Sequence, residues 1–180
     1  ANPRFSPDGQ KIAMDISDGK QRDIWVYDWA RDNLTQLTFD PGTDRVAVWT
    51  NDSKRIVFSS DRAKPGGARN IYWVNADGTG EVTRLTDRPD DEIAFSWHPS
   101  GKFLSFMETG AGNGDLMILQ MEGDVAKGWT AGNPTVFRGT PAQEVGPMFS
   151  PDGRFIAYMS NEAGGSTNDV YVRPFPGPGG

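Results

Sequence analysis

The 180-residue sequence has no cysteine and a single histidine, His98. Without thiolates it can form neither disulfides nor cysteine-based zinc sites, and one imidazole offers little material for acid–base catalysis. No run of eighteen or more apolar residues occurs, which argues against a membrane-spanning helix. We expect no export leader either, because residues 1–8 show no charged segment followed by an apolar core. The lack of cysteine is compatible with the cytoplasm and with the periplasm.

Positive charge is scarce and scattered. Eighteen Lys and Arg residues stand against 24 Asp and Glu, which gives a formal net charge of −6. Binding to phosphate backbones or anionic membranes needs clustered basic residues, so we expect neither nucleic acid nor a membrane as a partner. The 22 glycines and 13 prolines, beside 11% aromatic residues, favour a turn-rich all-β fold over disorder.

A five-residue motif, an aromatic residue followed by a four-residue turn, occurs four times in the chain. The copies are FSPDG, WTNDS, WHPSG and FSPDG, at residues 5–9, 49–53, 97–101 and 149–153. In such a turn Pro fixes φ, Asp binds nearby backbone amides and Gly accepts a positive φ. The structural turn residues are therefore Ser6, Pro7, Asp8 and Gly9, and again Ser150, Pro151, Asp152 and Gly153. Where Ser53 replaces glycine, we expect a looser turn.

Short strand-like runs follow each copy of the motif. A first run lies at residues 12–14, 56–58, 104–106 and 156–158, and a second at residues 23–27, 70–74, 115–118 and 169–172. A shorter run closes the first three units, at residues 34–38, 82–86 and 135–137. Several short strands in each unit of about 40–50 residues are typical of propeller blades.

The sequence thus predicts one all-β domain over residues 1–180, a partial β-propeller of four blades with four antiparallel strands each. The blades span about 1–40, 41–88, 89–139 and 140–180, and the last lacks its outer strand. Inner strands carry Phe5, Trp49, Trp97 and Phe149, no helix exceeds two turns, and residues 120–132 form an irregular insertion.

The SPDG turns, together with the later D-[IV]-[YW]-V and R-L-T elements, resemble the WD40-like PD40 repeat of bacterial TolB-type propellers. The likeness covers essentially the whole chain, and residues 170–177 are most similar to propellers associated with bacterial Ser/Thr kinases. The resemblance implies a rigid disc that recognises a protein or peptide, with any chemistry done by another domain. It also implies a periplasmic or otherwise extracytoplasmic location.

An acidic residue stands five positions before the inner-strand aromatic residue in three blades: Asp44, Glu92 and Glu144. In a propeller the loops that enter the innermost strands surround the channel mouth, so these residues could form a negative ring. Such a ring could hold a calcium ion or a basic peptide, and no other cofactor is expected. Alternatively, each carboxylate accepts hydrogen bonds within its own loop or from the next blade.

Catalytic residues are not predicted. His98 is interpreted as a turn residue, and the glycines at positions 110, 112 and 114 lie between two strands, where they cannot cradle a phosphate at a helix N-terminus. The nucleophile-elbow motif G-x-S-x-G is absent from the sequence. The loops at 60–70 and 161–169, with residues 87–92, are the expected binding face.

The sequence therefore favours a non-catalytic binding or scaffold module that recognises a protein, peptide or small ligand at its loop face or channel mouth. One alternative is a sensor or substrate-gating propeller from a multidomain Ser/Thr kinase or a prolyl-oligopeptidase-like peptidase. Another is a propeller lyase or hydrolase. We also expect self-association through uncovered apolar faces of the end blades, which carry Ile12, Trp25, Ile156 and Tyr171. Alternatively, further blades of a longer parent protein cover these faces, or the four blades close into a ring.

Overall fold

The protein was analysed as a computed structural model, which describes residues 2–110, 113–124, 128–164 and 167–177. Throughout these ranges the regular structure consists of β-strands, and no helix occurs. The predicted all-β class is confirmed. The described residues thus contain no candidate for a membrane-spanning helix. Residue 112 of the glycine-rich segment and residues 165–166 of the last predicted loop lie outside the described residues.

The chain divides into two compact units, Ala1–Ala94 and Phe95–Gly180. A single domain over all 180 residues stays a prediction.

The first unit contains two four-stranded antiparallel sheets, each with its strands in chain order. The first sheet is formed by β1 (Arg4–Phe5), β2 (Lys11–Ser17), β3 (Arg22–Asp28) and β4 (Asn33–Gln36). The second is formed by β5 (Asp44–Trp49), β6 (Arg55–Ser60), β7 (Asn70–Asn75) and β8 (Thr83–Arg84). Strand β9 (Asp91–Trp97) begins at the end of this unit.

The second unit contains the rest of the third sheet and a fourth sheet. The third sheet has the order β12-β11-β10-β9, and β13 also pairs with β11. Its remaining strands are β10 (Phe103–Thr109), β11 (Gly114–Asp124), β12 (Gly128–Ala131) and β13 (Thr135–Arg138). The fourth sheet has three strands, as expected: β14 (Glu144–Phe149), β15 (Phe155–Ser160) and β16 (Asp169–Pro174).

In the insertion predicted at residues 120–132, residues 125–127 lie outside the described residues, and the described residues on either side are more regular than predicted. Strand β11 continues to Asp124 and pairs with β12 in a hairpin, from Met121 opposite Ala131 to Asp124 opposite Gly128. Gly123 and Gly128 both have positive φ, 106° and 81°, and a Cβ on Gly123 would overlap the Gly128 carbonyl. The expectation of irregular structure was wrong because these two glycines allow the arms to approach closely.

Alternating side chains of each unit form its core. In the first unit Ile24, Ile56 and Phe58 are fully buried. In the second unit Ile156 is fully buried against Phe149 and Ile118. Ile156 therefore does not lie on an uncovered face, contrary to the prediction. Its neighbours on β15, Phe155 and Met159, are exposed instead because strand side chains alternate between faces.

The same hydrogen-bond network occurs in the three copies of the turn motif that have Ser or Thr at the second position. The Ser6 hydroxyl donates to Asp8 over 2.6 Å and accepts from the Lys11 amide over 2.9 Å, and Thr50 and Ser150 have the same roles. Ser53 takes a φ of 57° and its amide still donates to the Thr50 carbonyl over 3.0 Å. The turn at Ser53 therefore keeps the same backbone hydrogen bond in a left-handed conformation, and a looser turn at this position stays a prediction.

Candidate binding site

The three acidic residues of the sequence pattern are all fully buried. Glu92 accepts hydrogen bonds from the Thr86 hydroxyl and, over 3.1 Å, from the Asn70 amide. Glu144 accepts from the Thr140 hydroxyl. Asp44 forms an ion pair with Arg62, with 2.7 Å between Oδ2 and Nη2. Each carboxylate thus joins strands and loops of its own unit.

The environment of Asp44 disfavours its charge. Burial raises the pKa of this carboxyl above the ordinary value, and the hydroxyls of Ser60 and Thr38 and the charge of Arg62 offset only part of the rise. Its Oδ1 atom and the Glu144 Oε2 atom are buried and accept no hydrogen bond from the part of the chain that the structure describes. Within the described ranges, no three His, Asp or Glu side chains are arranged to hold a metal ion. A role of the three carboxylates in calcium or basic-peptide binding stays a prediction.

His98 is held in its turn by neighbours on both ring nitrogens. Its Nδ1 atom accepts from the Ser100 amide over 3.1 Å, and its Nε2 atom lies 3.0 Å from the Gly153 carbonyl oxygen, to which it donates. The ring also packs edge-on against Phe149 and Phe103. This geometry gives the ring a packing role within the second unit.

A cavity of about 240 Å³ lies in the first unit, at the end of the blades where β5 begins and β2 and β6 end. We call it the arginine pocket, because it is lined by the basic residues Arg22, Arg45 and Arg69, with Asp15, Val46 and Ile93 beside them. Arg22 opens β3, and Arg69 ends the 60–70 loop just before β7. The pocket thus collects residues from both blades of the unit.

Two aspartates hold two of the arginines in place. The buried Asp15 forms an ion pair with Arg22 through its Oδ2 atom, and its Oδ1 atom lies 3.4 Å from the Asn2 amide. Asp91 pairs with the Arg69 guanidinium and accepts from the Arg69 amide over 2.7 Å. Each ion pair uses one of the five N–H groups that a guanidinium carries. Among the described residues no acceptor binds the other guanidinium N–H groups of Arg22 and Arg69, so these groups can donate to a ligand.

Arg45 contributes the uncompensated charge of the pocket. Its side chain is exposed and forms no ion pair within the described ranges. Burial alone would raise the pKa of Asp91, but the Arg69 hydrogen bonds and the charges of Arg69 and Arg45 lower it below its usual value. Three guanidinium groups against two carboxylates leave the pocket with one excess positive charge.

The backbone beside Arg45 is strained. The pairing of β5 with β6 shifts register between Arg45 and Val48, and Val46 has a φ of 57°. A β-branched residue rarely takes this conformation, which costs about 1–3 kcal/mol. In the fourth blade the matching shift carries Gly146, with a φ of 68°. Bulges re-aim side chains, and this one presents Arg45 at the pocket.

The arginine pocket was not predicted from the sequence. One signal was available: Arg22 and Arg69 each precede the D-I-W or N-I-Y start of a third strand, whereas Gly114 and Asn168 stand at this position in the other blades. Arg45 has no such signal, since the bulge and not a local motif brings it to the cavity.

Comparison with known proteins agrees with this architecture. The Tol-Pal system protein TolB of Wolinella succinogenes is 25% identical over 95% of this chain and 41% of its own length. The uncharacterized peptidase YuxL of Bacillus subtilis is 24% identical over 95% of this chain and 31% of its own. The chain therefore spans less than half the length of these relatives.

Structural comparison gives the same result. The crystal structure of TolB from Acinetobacter baumannii superposes with a TM-score of 0.76 at 27% identity, over 97% of this chain and 40% of that one. The family model of the TolB beta-propeller domain, PD40, matches residues 1–134. The chain therefore belongs to the TolB beta-propeller domain family.

Proposed function

We propose that the chain is a non-catalytic binding module that recognises a protein or peptide at the arginine-pocket end of its first two blades. The observation that carries the proposal is the pocket itself, in which charged side chains from both blades are fixed by ion pairs beside the exposed Arg45. Preorganised polar groups of this kind fix the orientation of a ligand at low entropic cost.

The proposed partner class agrees with the family. Relatives at 25% and 27% identity are TolB proteins, one of them named for the Tol-Pal system. By the same analogy we propose an extracytoplasmic, bacterial setting. Because one fold can host many functions, the proposed binding function rests mainly on the arginine pocket and not on the fold.

Selection from a phage-displayed library of random peptides tests the proposal. We expect enriched peptides to bind the purified chain in calorimetry and to shift NMR signals of residues around the arginine pocket. Signals of Arg31, an exposed arginine beyond the far end of β3, should not move. A library that yields no binding peptide, or only peptides that bind elsewhere, contradicts the proposal.

The three buried acidic residues need a separate experiment. We propose that Asp44, Glu92 and Glu144 serve mainly as buried links between strands, since burial and threonine hydrogen bonds engage them. Calcium chloride and an Arg-rich peptide should then leave the melting temperature unchanged. A rise that disappears in the triple variant with Asn and Gln at these positions would instead support a cation site.

A second candidate is the gating propeller of a peptidase, favoured by the likeness to YuxL over 95% of this chain. The pocket would then receive segments of a substrate that another domain cleaves. The gene that encodes the chain separates the candidates, because a hydrolase domain with a G-x-S-x-G elbow in the same reading frame favours the gating propeller.

A further inference from the structure

We infer that the arginine pocket binds a single carboxylate of a peptide ligand, either an Asp or Glu side chain or a free C-terminus. The inference rests on the proposed peptide-binding function and adds the chemistry that the pocket recognises. It is carried by the convergence of Arg22, Arg45 and Arg69 on one small cavity.

The charge of the pocket selects the ligand. The ion pairs with Asp15 and Asp91 neutralise two of the three guanidinium groups, and the remaining unit of charge matches one carboxylate. A polyanion finds no such match, because the chain as a whole carries a net charge of −6. A guanidinium fork also fits the two oxygens of a carboxylate in a bidentate pair.

The size of the pocket also favours a single carboxylate as the ligand. A cavity of about 240 Å³ lies below the range of about 300–1,000 Å³ typical of drug-sized ligands. It fits one side chain or one chain end. The half-buried side chains of Val46 and Ile93 also line it, and they offer apolar contact to the methylene groups that carry a carboxylate.

The arginines are arranged before a ligand arrives. Asp15 is buried to 1% exposure and fixes one edge of Arg22, while Asp91 fixes Arg69 through both its oxygens. The strained bulge at Val46 brings the Arg45 side chain to the same cavity as Arg22 and Arg69. Arg45 is thus the residue whose charge the ligand neutralises.

NMR titration with small probes tests the inference on the intact chain. N-acetyl-glutamate methylamide supplies a side-chain carboxylate, N-acetyl-glycine supplies a terminal one, and N-acetyl-glutamine methylamide is the neutral match. We expect at least one carboxylate probe to shift the Nε–Hε signals of Arg45 and Arg22, and the neutral probe to leave them unmoved. The stronger of the two carboxylate probes identifies the source.

Two arginine variants show whether the carboxylate probe binds at the arginine pocket. Arg45→Gln should weaken binding of the carboxylate probe about tenfold or more, as loss of a charge-assisted hydrogen bond does, whereas Arg31→Gln should not change it. Equal binding of the neutral probe, equal affinity in Arg45→Gln, or a preference for inorganic phosphate over both carboxylates would overturn the inference. If library peptides bind at the pocket without needing a carboxylate, the proposed function survives and this inference fails.

Discussion

At the scale of single residues, the turn glycines differ in what surrounds them. Gly9 and Gly153 occupy the same position of the motif, with φ values of 71° and 73°. A Cβ on Gly9 would meet nothing within 4 Å, whereas a Cβ on Gly153 would run into the ring of His98. The two glycines therefore separate backbone strain from steric overlap.

Replacement of Gly153 by alanine should destabilise the protein more than the same change at Gly9. The left-handed backbone costs about 1–2 kcal/mol at both sites, and overpacking against His98 adds about 1–3 kcal/mol at Gly153 alone. Urea denaturation of Gly153→Ala and Gly9→Ala measures the difference. Equal losses would show that the His98 ring moves aside freely.

At the scale of structural elements, Arg62 ties the second sheet to the loop that precedes it. Its guanidinium pairs with Asp44 and with Asp40, each over 2.7 Å, and lies 5.1 Å and 5.3 Å from the ring centroids of Phe58 and Tyr72. Arg62 is therefore the counter-ion that allows an aspartate to lie at the start of β5 with no exposed surface.

Arg62→Met should cost about 3–5 kcal/mol of unfolding free energy, because it leaves the Asp44 carboxylate buried without its partner. Methionine keeps the apolar contact with the two rings. The exposed Arg31→Met is the control and should change stability little.

The loss of unfolding free energy in Arg62→Met should also depend on pH. Burial already raises the pKa of Asp44 above 3.8, and removal of Arg62 raises it further. In the window between the unfolded and folded values the folded state holds a proton that the unfolded state lacks, so stability falls as pH rises. Arg62→Met should therefore lose more free energy of unfolding, relative to the wild type, at about pH 8 than at about pH 5. An equal loss at both pH values would contradict the assigned role of Asp44.

The elements show what sequence patterns can and cannot reveal. Turns and strands were predictable because each depends on a few consecutive residues, such as Ser6 to Gly9, and because the four blades repeat them. The acidic pattern was visible too, but not the burial of Asp44, which depends on Arg62. The arginine pocket depends on Arg22, Arg45 and Arg69 meeting across two sheets, and no local pattern encodes that meeting.

At the scale of the whole molecule, contact with other chains depends on one face of the fourth sheet, where four apolar side chains are exposed. Val170 and Val172 of β16 are 72% and 61% exposed, and Met148 and Met159 are 41% and 44% exposed. Val170 lies opposite Met159, and Val172 and Met148 both lie opposite Ala157, so the four side chains share one face of the sheet. Soluble monomers rarely leave a continuous apolar patch of more than a few hundred Å² exposed.

We therefore predict that the chain associates through this face, most simply as a two-fold dimer in which both copies use the same patch. At about 25 cal/mol per Å² of apolar surface, covering the face yields several kcal/mol toward association. Light scattering at tens of micromolar protein should report a dimer, and Val170→Lys with Val172→Lys should convert it to a monomer. Val136→Lys, at a valine with 60% exposure in the neighbouring sheet, should leave the dimer intact. A monomeric wild-type chain with one cooperative melting transition would show that the face tolerates water and that the predicted dimer does not form.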